Sequence, residues 1–342
     1  MFLAVAALSA TANANITFQD NRLVLSVAGK QVVSSPAEGL WSVATGWSDD
    51  WMCDWHHASP ERIECSGEWS IAHGKIILAG GELRLRDSYR QTESGLVQCV
   101  RRYEWHGEEP LEKVTLSVRF AVEGQQLMPC LPGILYYGNK NGAKVNSNII
   151  PVYNGTAGEF AIFEEHRYPM PFAMLESAAG GYAAALHTVP SPVRGAVLAD
   201  QWWSMGVEAH DGYSEIILYS GPIGYNGQHS VAKALQKRPM RYADTYITLE
   251  PGQIIEKSFY LECYPIEREG TGFQQPLYTT LDLYKPYDAE RFATFEQIVR
   301  GKYEFAKKRW IEFDDTAVGF NMYDTSLRKD IVMGGCGQAD SP

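Results

Sequence analysis

Four ionisable side chains follow one another in the stretch FEEHRYPMP (residues 163–171), namely Glu164, Glu165, His166 and Arg167. A guanidinium presents a planar pair of donors that suits a carboxylate, while glutamate accepts hydrogen bonds from hydroxyls and histidine donates or accepts them. The two prolines of the stretch stiffen it. This combination predicts a saccharide subsite, with a uronic acid as one candidate ligand. The alternative is a local ion pair in which a neighbouring glutamate satisfies the arginine.

A second stretch, residues 39–61, carries three tryptophans at a spacing of four, namely Trp47, Trp51 and Trp55. Indole rings stack on the apolar face of a sugar, and nearby carboxylates bind its hydroxyls. The spacing predicts that a short helix aligns the three rings, with burial in a core as the alternative. Metal-ligating residue types are also present, but adjacent histidines at 56 and 57 match no zinc pattern, so no metal site is predicted.

A third stretch, residues 128–146, combines turn-forming residues with Tyr137 and Asn139, whose hydroxyl and amide groups suit a sugar. A long loop covering the fold is the alternative. The chain has no GxSxG, Walker A, GxGxxG or HExxH motif, which argues against α/β-hydrolases, nucleotide enzymes and zincin proteases. The sequence therefore assigns no catalytic residue and no cofactor.

Composition narrows the partners further. The 342 residues carry a formal net charge of −11, and an acidic chain repels phosphate backbones, so we expect no nucleic-acid partner. No apolar run is long enough for a membrane span. Residues 1–14 resemble the apolar region and A-x-A cleavage site of a signal peptide, which predicts a periplasmic or secreted protein. Six scattered cysteines permit disulfides, but buried free thiols are the simpler expectation.

Short alternating runs recur from residue 15 to 270, for example EKVTLSVRFAVEG at 112–124. They predict a mainly β fold, a large antiparallel two-sheet sandwich. Residues 271–287, which contain proline and tyrosine, are interpreted as a linker. Residues 288–342 are interpreted as a helical segment, in which Asp288 caps a helix that ends near Asp314.

This order resembles that of the six-hairpin glycosidases and related polysaccharide lyases. The residues that carry the resemblance are YITLEPGQIIEKSFYLECYPI (246–266), the helix at 288–312, and the final GFNMYD and VMGGCGQADSP. The resemblance implies a galactose mutarotase-like supersandwich followed by the start of an (α/α) barrel, which continues beyond the sequence given. It also implies the N-terminal part of a bacterial glycoside hydrolase acting on a polysaccharide or oligosaccharide. Since the barrel carries the main catalytic carboxylates in many such enzymes, no catalytic pair is carried over.

Other functions remain open at this point. The same aromatic and polar residues suit a non-catalytic carbohydrate-binding module, and a polysaccharide lyase is a further alternative. A free-standing aldose epimerase needs a histidine and a glutamate around the anomeric carbon. His187, His166 and Glu165 are available, although their spacing matches no known pattern.

Overall fold

Alternation of apolar and polar residues makes strands the main element of the chain, because each strand buries one face. The structure is a computed structural model that describes residues 14–48, 51–139, 152–193, 201–223, 225–226, 246–285, 293–308, 310–314 and 317–320. The chain forms two units, Met1–Tyr284 and Lys285–Pro342. Within the described residues, neither helix is long and apolar enough to cross a membrane.

The strands of the first half of the chain are β1 (Asn15–Gln19), β2 (Arg22–Val27), β3 (Lys30–Ser34), β4 (Trp41–Ser48), β5 (Trp51–Ala58), β6 (Arg62–Ser66), β7 (Trp69–Leu78), β8 (Gly81–Gln91), β9 (Val97–Gly107), β10 (Leu111–Glu123), β11 (Met128–Leu131) and β12 (Leu135–Tyr136). They are followed by β13 (Phe160–Glu164), β14 (Phe172–Ser177), β15 (Tyr182–Thr188), β16 (Pro192–Val193), β17 (Gln201–Trp202), β18 (Ser204–Ala209), β19 (Tyr213–Tyr219), β20 (Tyr225–Asn226), β21 (Ile247–Leu249), β22 (Ile254–Pro265), β23 (Trp310–Asp314) and β24 (Ala317–Phe320). The helices are α1 (Gln274–Tyr284) and α2 (Phe295–Lys307).

Two large sheets build the first unit. The eleven-stranded sheet has the order β1-β2-β3-β10-β19-β18-β13-β20, with β4 and β21 also pairing with β10, and β5 pairing with β4. The nine-stranded sheet has the order β12-β11-β14-β15-β22-β9-β8-β7-β6. Their ladders are antiparallel; in the pairing of β10 with β19, for example, Arg119 lies opposite Ile217.

The two sheets bury a common core between them. On β10 the alternate residues Val114, Leu116, Val118 and Phe120 are fully buried in it. The ring of Phe120 lies 5.8 Å from that of Phe259 on the opposing sheet. This confirms the predicted mainly β, two-sheet fold with a C-terminal helical segment. The five cysteines in the described part of the chain are free thiols.

The segment 271–287, interpreted as a linker, contains the helix α1. Its Pro276 is buried in the first helical turn, where a missing N–H costs little, so the proline does not prevent the helix. Phe273 and Leu277 pack on the nine-stranded sheet. His187 Nδ1 lies 3.1 Å from Thr280 Oγ1, and the Tyr284 hydroxyl donates to the Thr188 carbonyl at 2.7 Å. Residues 271–284 are therefore part of the first unit.

In the second unit, α2 is shorter than the predicted helix. Thr294 forms a capping box: its Oγ1 accepts from the Gln297 amide at 3.3 Å, and Gln297 Oε1 accepts from the Thr294 amide at 2.8 Å. The helix ends at Lys307, and Trp310, expected on its apolar face, begins the β23–β24 hairpin instead. The predicted cap Asp288 lies outside the described residues. The expectation that this segment opens a helical barrel stays a prediction.

Candidate functional site

The acidic pair of the first candidate cluster is buried. Glu165 begins a 3-10 turn, Glu165–Arg167, and is fully buried. Its carboxylate accepts from Lys257 Nζ at 2.6 Å, from the Ser191 amide at 2.8 Å and from the Thr188 hydroxyl. A carboxylate with these partners holds the sandwich together and is not exposed to a ligand.

The other members of this cluster lie at the end of β13. Glu164 is buried and accepts from Arg167 Nε at 2.6 Å, so the local ion pair is what forms. His166 is exposed, with its ring centroid 5.5 Å from that of Trp202. Arg167 was expected to bind the carboxylate of a uronic acid, but Glu164 already provides a carboxylate. No ligand is therefore needed to explain the position of Arg167. A binding role for the exposed His166 and Arg167 stays a prediction.

The third candidate stretch uses its polar groups internally. The Tyr137 hydroxyl donates to Glu176 Oε2 at 3.2 Å, and burial raises the pKa of Tyr137. Asn139 Oδ1 accepts from the Tyr136 amide and its Nδ2 donates to the Ile134 carbonyl, both at 3.1 Å. These bonds build a turn, and sugar contacts by Tyr137 and Asn139 stay a prediction.

The three tryptophans lie on a β-hairpin, so the prediction of a short helix is wrong. A spacing of four returns to the same face of a strand as well as of a helix, because the strand period is two. Trp51 and Trp55 share one face of β5 with His57. Trp47 lies on β4, where its Nε1 donates to Thr115 Oγ1 at 3.0 Å. The hairpin therefore brings two of the three rings together.

A groove of about 490 Å³ is lined by residues of β5, β10, β13, β18 and β19, all strands of the eleven-stranded sheet, and by Glu38. Its apolar walls are Trp51, Trp55, Phe160 and Tyr219; Trp51 meets Phe160 edge to face at 5.0 Å, and Trp55 lies 5.9 Å from Tyr219. Its polar lining comes from four strands or loops far apart in sequence, and consists of Glu38, His57, Arg119 and Glu208. These lining residues define the groove.

Arg119 is the central cation of the groove. Its Nε and Nη2 donate to the two oxygens of Glu215 at 2.7 and 3.0 Å, and its Nη1 lies 2.8 Å from Glu38 Oε1 and 3.2 Å from Ser42 Oγ. The guanidinium also lies 5.6 Å from the Trp55 ring. Burial opposes its charge, but Glu215 and Glu38 outweigh burial and raise the pKa of Arg119. Burial likewise acts against the charge on Glu38, yet Arg119 lowers the pKa of Glu38, which is therefore ionised.

Glu208 is the unusual acid of the groove. It lies directly opposite Glu215 in the β18–β19 ladder, and like charges in that position destabilise each other. Burial first, and then the charge of Glu215, raise the pKa of Glu208 from 4.5 to about 8. Burial lowers the pKa of His57, so at neutral pH the groove holds a protonated carboxyl and an uncharged imidazole. Such groups can donate and accept protons.

His210 lies beside Glu208. Its Nε2 lies 3.5 Å from Glu208 Oε1 and 3.8 Å from Glu215 Oε1, and its ring stacks on Tyr213 at 4.6 Å. Of the described residues, Glu208, His210 and Glu215 are the group whose ligand atoms are close enough to hold a metal ion. Both oxygens of Glu215 are occupied by Arg119, however, so the arrangement is better described as an ion-pair network.

Sequence reasoning missed Glu38, Arg119, Glu208 and Glu215 as site residues. They come from separate strands and loops, and only the sheet order brings them together. One signal was present: Arg119 and Glu215 interrupt strands that are otherwise almost entirely apolar, LSVRFAV and SEIILY. Charged side chains are almost never buried unless they are paired, and here Arg119 and Glu215 are each other's partners.

No family model matches the chain, and no curated protein matches it. Similar solved structures include a protein assigned as an aldose 1-epimerase from Escherichia coli K12, with 11% identity and a TM-score of 0.37 over 61% of this chain and 69% of the other. A polysaccharide lyase has 12% identity and a TM-score of 0.38 over 80% of this chain. An alpha-N-acetylgalactosaminidase from Bifidobacterium bifidum has 9% identity and a TM-score of 0.31 over the same share.

The chain spans 35% of that lyase and 38% of that glycosidase. The classes named are those of the sequence resemblance. At this identity and at these TM-scores, the likeness assigns neither a family nor an activity to this chain, and the groove itself has to support any function.

Proposed function

We propose that this protein is carbohydrate-active, that it binds a saccharide in the groove, and that Glu208 donates a proton to a sugar oxygen there. The observation that carries the proposal is that the Glu208 carboxyl group lines the same groove as two indole rings, where burial and Glu215 raise its pKa to about 8. Apolar sugar faces stack on indole, and the polar edge of the sugar then meets the groove's carboxyl groups. Pockets that combine aromatic walls with a few polar groups of perturbed pKa are typical binding and active sites.

The two carboxyl groups that line the groove have complementary states. Arg119 keeps Glu38 ionised, whereas burial and Glu215 keep Glu208 protonated. Ionised Glu38 can accept hydrogen bonds from sugar hydroxyls, and Glu208 can act as a general acid. Two carboxyl groups with separated pKa values are what glycoside hydrolysis uses. This supports the finer proposal that the chain is the N-terminal part of a glycoside hydrolase acting on a polysaccharide or oligosaccharide.

A second candidate function is aldose 1-epimerisation of the mutarotase type. The observation that favours it is the uncharged His57 in the same groove as protonated Glu208. The reaction needs one group to remove the anomeric hydroxyl proton and another to protonate the ring oxygen, and these two residues supply both within this chain. The residues considered from sequence do not fit this role, since Glu165 and His187 are fully buried.

Binding is tested by isothermal titration of the full chain with methyl glucoside, methyl galactoside and their oligosaccharides. We expect Trp55→Ala to weaken binding at least tenfold, about 1.4 kcal/mol. Trp69→Ala is the matched control, because Trp69 is also half-buried but lies on β7 of the other sheet. Equal affinity of wild type and Trp55→Ala for every sugar, or no binding at all, would refute the groove assignment.

Activity is tested on the same protein in two assays. Hydrolysis of aryl glycosides tests the glycosidase proposal, and polarimetry of freshly dissolved glucose and galactose tests the epimerase. Either activity should be lost in Glu208→Gln while sugar binding persists. Binding with neither activity would instead support a non-catalytic carbohydrate-binding module. A periplasmic or secreted location is part of the same proposal and is tested by cell fractionation.

A further inference from the structure

We propose that the groove selects a sugar that carries a protonated amine, in preference to a neutral sugar, and that it rejects uronic acids. The inference rests on the proposed function for the position of the binding site, and it names the class of sugar that this groove binds most tightly. Its basis is the distribution of charge: three carboxyl groups, Glu38, Glu208 and Glu215, surround one guanidinium, Arg119.

The guanidinium of Arg119 already has partners within the protein. Arg119 is 11% exposed, and its Nε, Nη1 and Nη2 all have partners in Glu215, Glu38 and Ser42. A uronic acid could use this guanidinium only by displacing a carboxylate that is already in place. It would also place its own negative charge beside ionised Glu38, and like charges brought together in a partly desolvated site oppose binding.

Glu208 is the acidic residue that a positively charged ligand would meet. Glu208 faces Glu215 across the β18–β19 ladder, and no hydrogen bond within the described residues satisfies its carboxyl group. Glu215 is fully buried and held by Arg119, whereas Glu208 is 14% exposed and lines the groove. Arg119 is bound to Glu215 and Glu38, so an ammonium group of a bound sugar would supply a second positive charge next to Glu208, the member that a ligand can reach.

The aromatic walls of the groove also favour a cation. Trp51, Trp55 and Tyr219 present aromatic rings to the groove, and a cation next to an aromatic face is stabilised by the ring's quadrupole. The Arg119–Trp55 contact at 5.6 Å already shows this geometry within the protein. An amine on a stacked sugar would thus be attracted both by Glu208 and by the rings.

The amine also couples binding to proton release. Burial first, and then Glu215 and Glu38, raise the pKa of Glu208, whereas Arg119 lowers it; His210 Nε2 also faces the carboxyl group at 3.5 Å. A bound ammonium favours the carboxylate, so the Glu208 proton leaves to the buffer when the amino sugar binds, and Glu208 then serves that ligand as counter-ion and not as general acid. A neutral sugar brings no such charge and releases none.

The test compares three probes on one ring, methyl glucoside, methyl glucosaminide and methyl glucuronide, and repeats the comparison in the galacto series. Calorimetry at about pH 6.5, where an amine of ordinary pKa is protonated, is run in two buffers of different ionisation enthalpy. We expect the glucosaminide to bind at least tenfold more tightly than the glucoside, with proton release, and the glucuronide to bind at least tenfold more weakly, each about 1.4 kcal/mol.

In Glu208→Gln the ratio of glucosaminide to glucoside affinity should fall to about one and the proton release should be lost, whatever the change in glucoside affinity itself. Glu256→Gln, an exposed site on β22 of the other sheet, is the matched control and should behave as wild type. The inference is overturned if the uronide binds as tightly as the glucoside, or if the amine preference is absent or survives in Glu208→Gln. If no probe of either series binds, the proposed function itself fails, which is a distinct outcome.

Discussion

Replacing Glu208 with glutamine should make the protein more stable at alkaline pH. The folded state holds the Glu208 proton up to about pH 8, whereas in the unfolded chain a glutamate loses it near 4.5. Because the unfolded state gains from ionisation first, the free energy of unfolding of the wild type falls as pH rises between these two values. At about 1.4 kcal/mol per pKa unit, the shift from 4.5 to about 8 corresponds to a full loss of about 5 kcal/mol. Glutamine is uncharged and of similar shape, so the variant avoids this loss.

The assay is urea denaturation at several pH values from about 5 to 9, a range that spans the titration. Fluorescence of the core tryptophans Trp41, Trp105 and Trp203, all in the first unit, follows its unfolding. The quantity to compare is the difference in unfolding free energy between Glu208→Gln and wild type at each pH. Contributions from His57, His210 and other groups largely cancel in this difference.

We expect the difference to increase with pH and to reach a plateau above about pH 8, with the variant more stable by about 2–4 kcal/mol there. Glu256→Gln, whose side chain is 54% exposed, should show no such trend. A difference between Glu208→Gln and wild type that is constant across the range would refute the claim that Glu208 is protonated in the folded protein at neutral pH. It would also remove the general acid from the proposed mechanism.

Other changes test the packing around the groove and the second unit. Lys257→Met should lower the unfolding free energy by about 3–5 kcal/mol because it leaves Glu165 buried without its cation, and adding Glu165→Leu should restore part of the loss in the same urea assay. Gly206→Ala should destabilise the first unit by about 1–3 kcal/mol, since a Cβ on β18 would collide with the Ala161 carbonyl of β13; unchanged stability would contradict the strand spacing. Thr294→Ala should cost α2 about 1 kcal/mol through loss of its cap, seen as reduced helical circular dichroism on heating, whereas Thr294→Ser should retain it.

Local patterns in the sequence were enough to predict the sheets. The alternation in 112–124 identified β10 within one residue at each end, and Glu250-Pro251-Gly252 forms the expected turn, with Gly252 at φ +76° and the Gln253 amide donating to the Glu250 carbonyl. Such features depend on neighbours in the chain. The linker interpretation of 271–287 rested on its proline and tyrosine content, whereas the structure forms α1 over Gln274–Tyr284, because a proline in the first helical turn is compatible with a helix.

The groove depended on information that local patterns do not contain. Trp51 and Trp55 were candidates for a sound reason, namely a shared face, but the helix inferred from their spacing was wrong because strands also place i and i+4 on one side. Arg119 and Glu215 are 96 residues apart in sequence and meet through the β10–β19 ladder. Glu208 gains its role only from the register that sets it opposite Glu215.

The position of α1 determines how this protein can be shortened for experiments. Glu262 Oε1 lies 2.7 Å from His187 Nε2, and Glu262 Oε2 accepts a hydrogen bond from the Thr279 hydroxyl of the helix at 3.0 Å. An expression fragment that stopped at residue 270 would uncover these polar groups together with the apolar residues beneath Phe273 and Leu277, leaving a sticky patch prone to aggregation. A fragment that runs through Tyr284 keeps this patch covered and retains every residue of the groove.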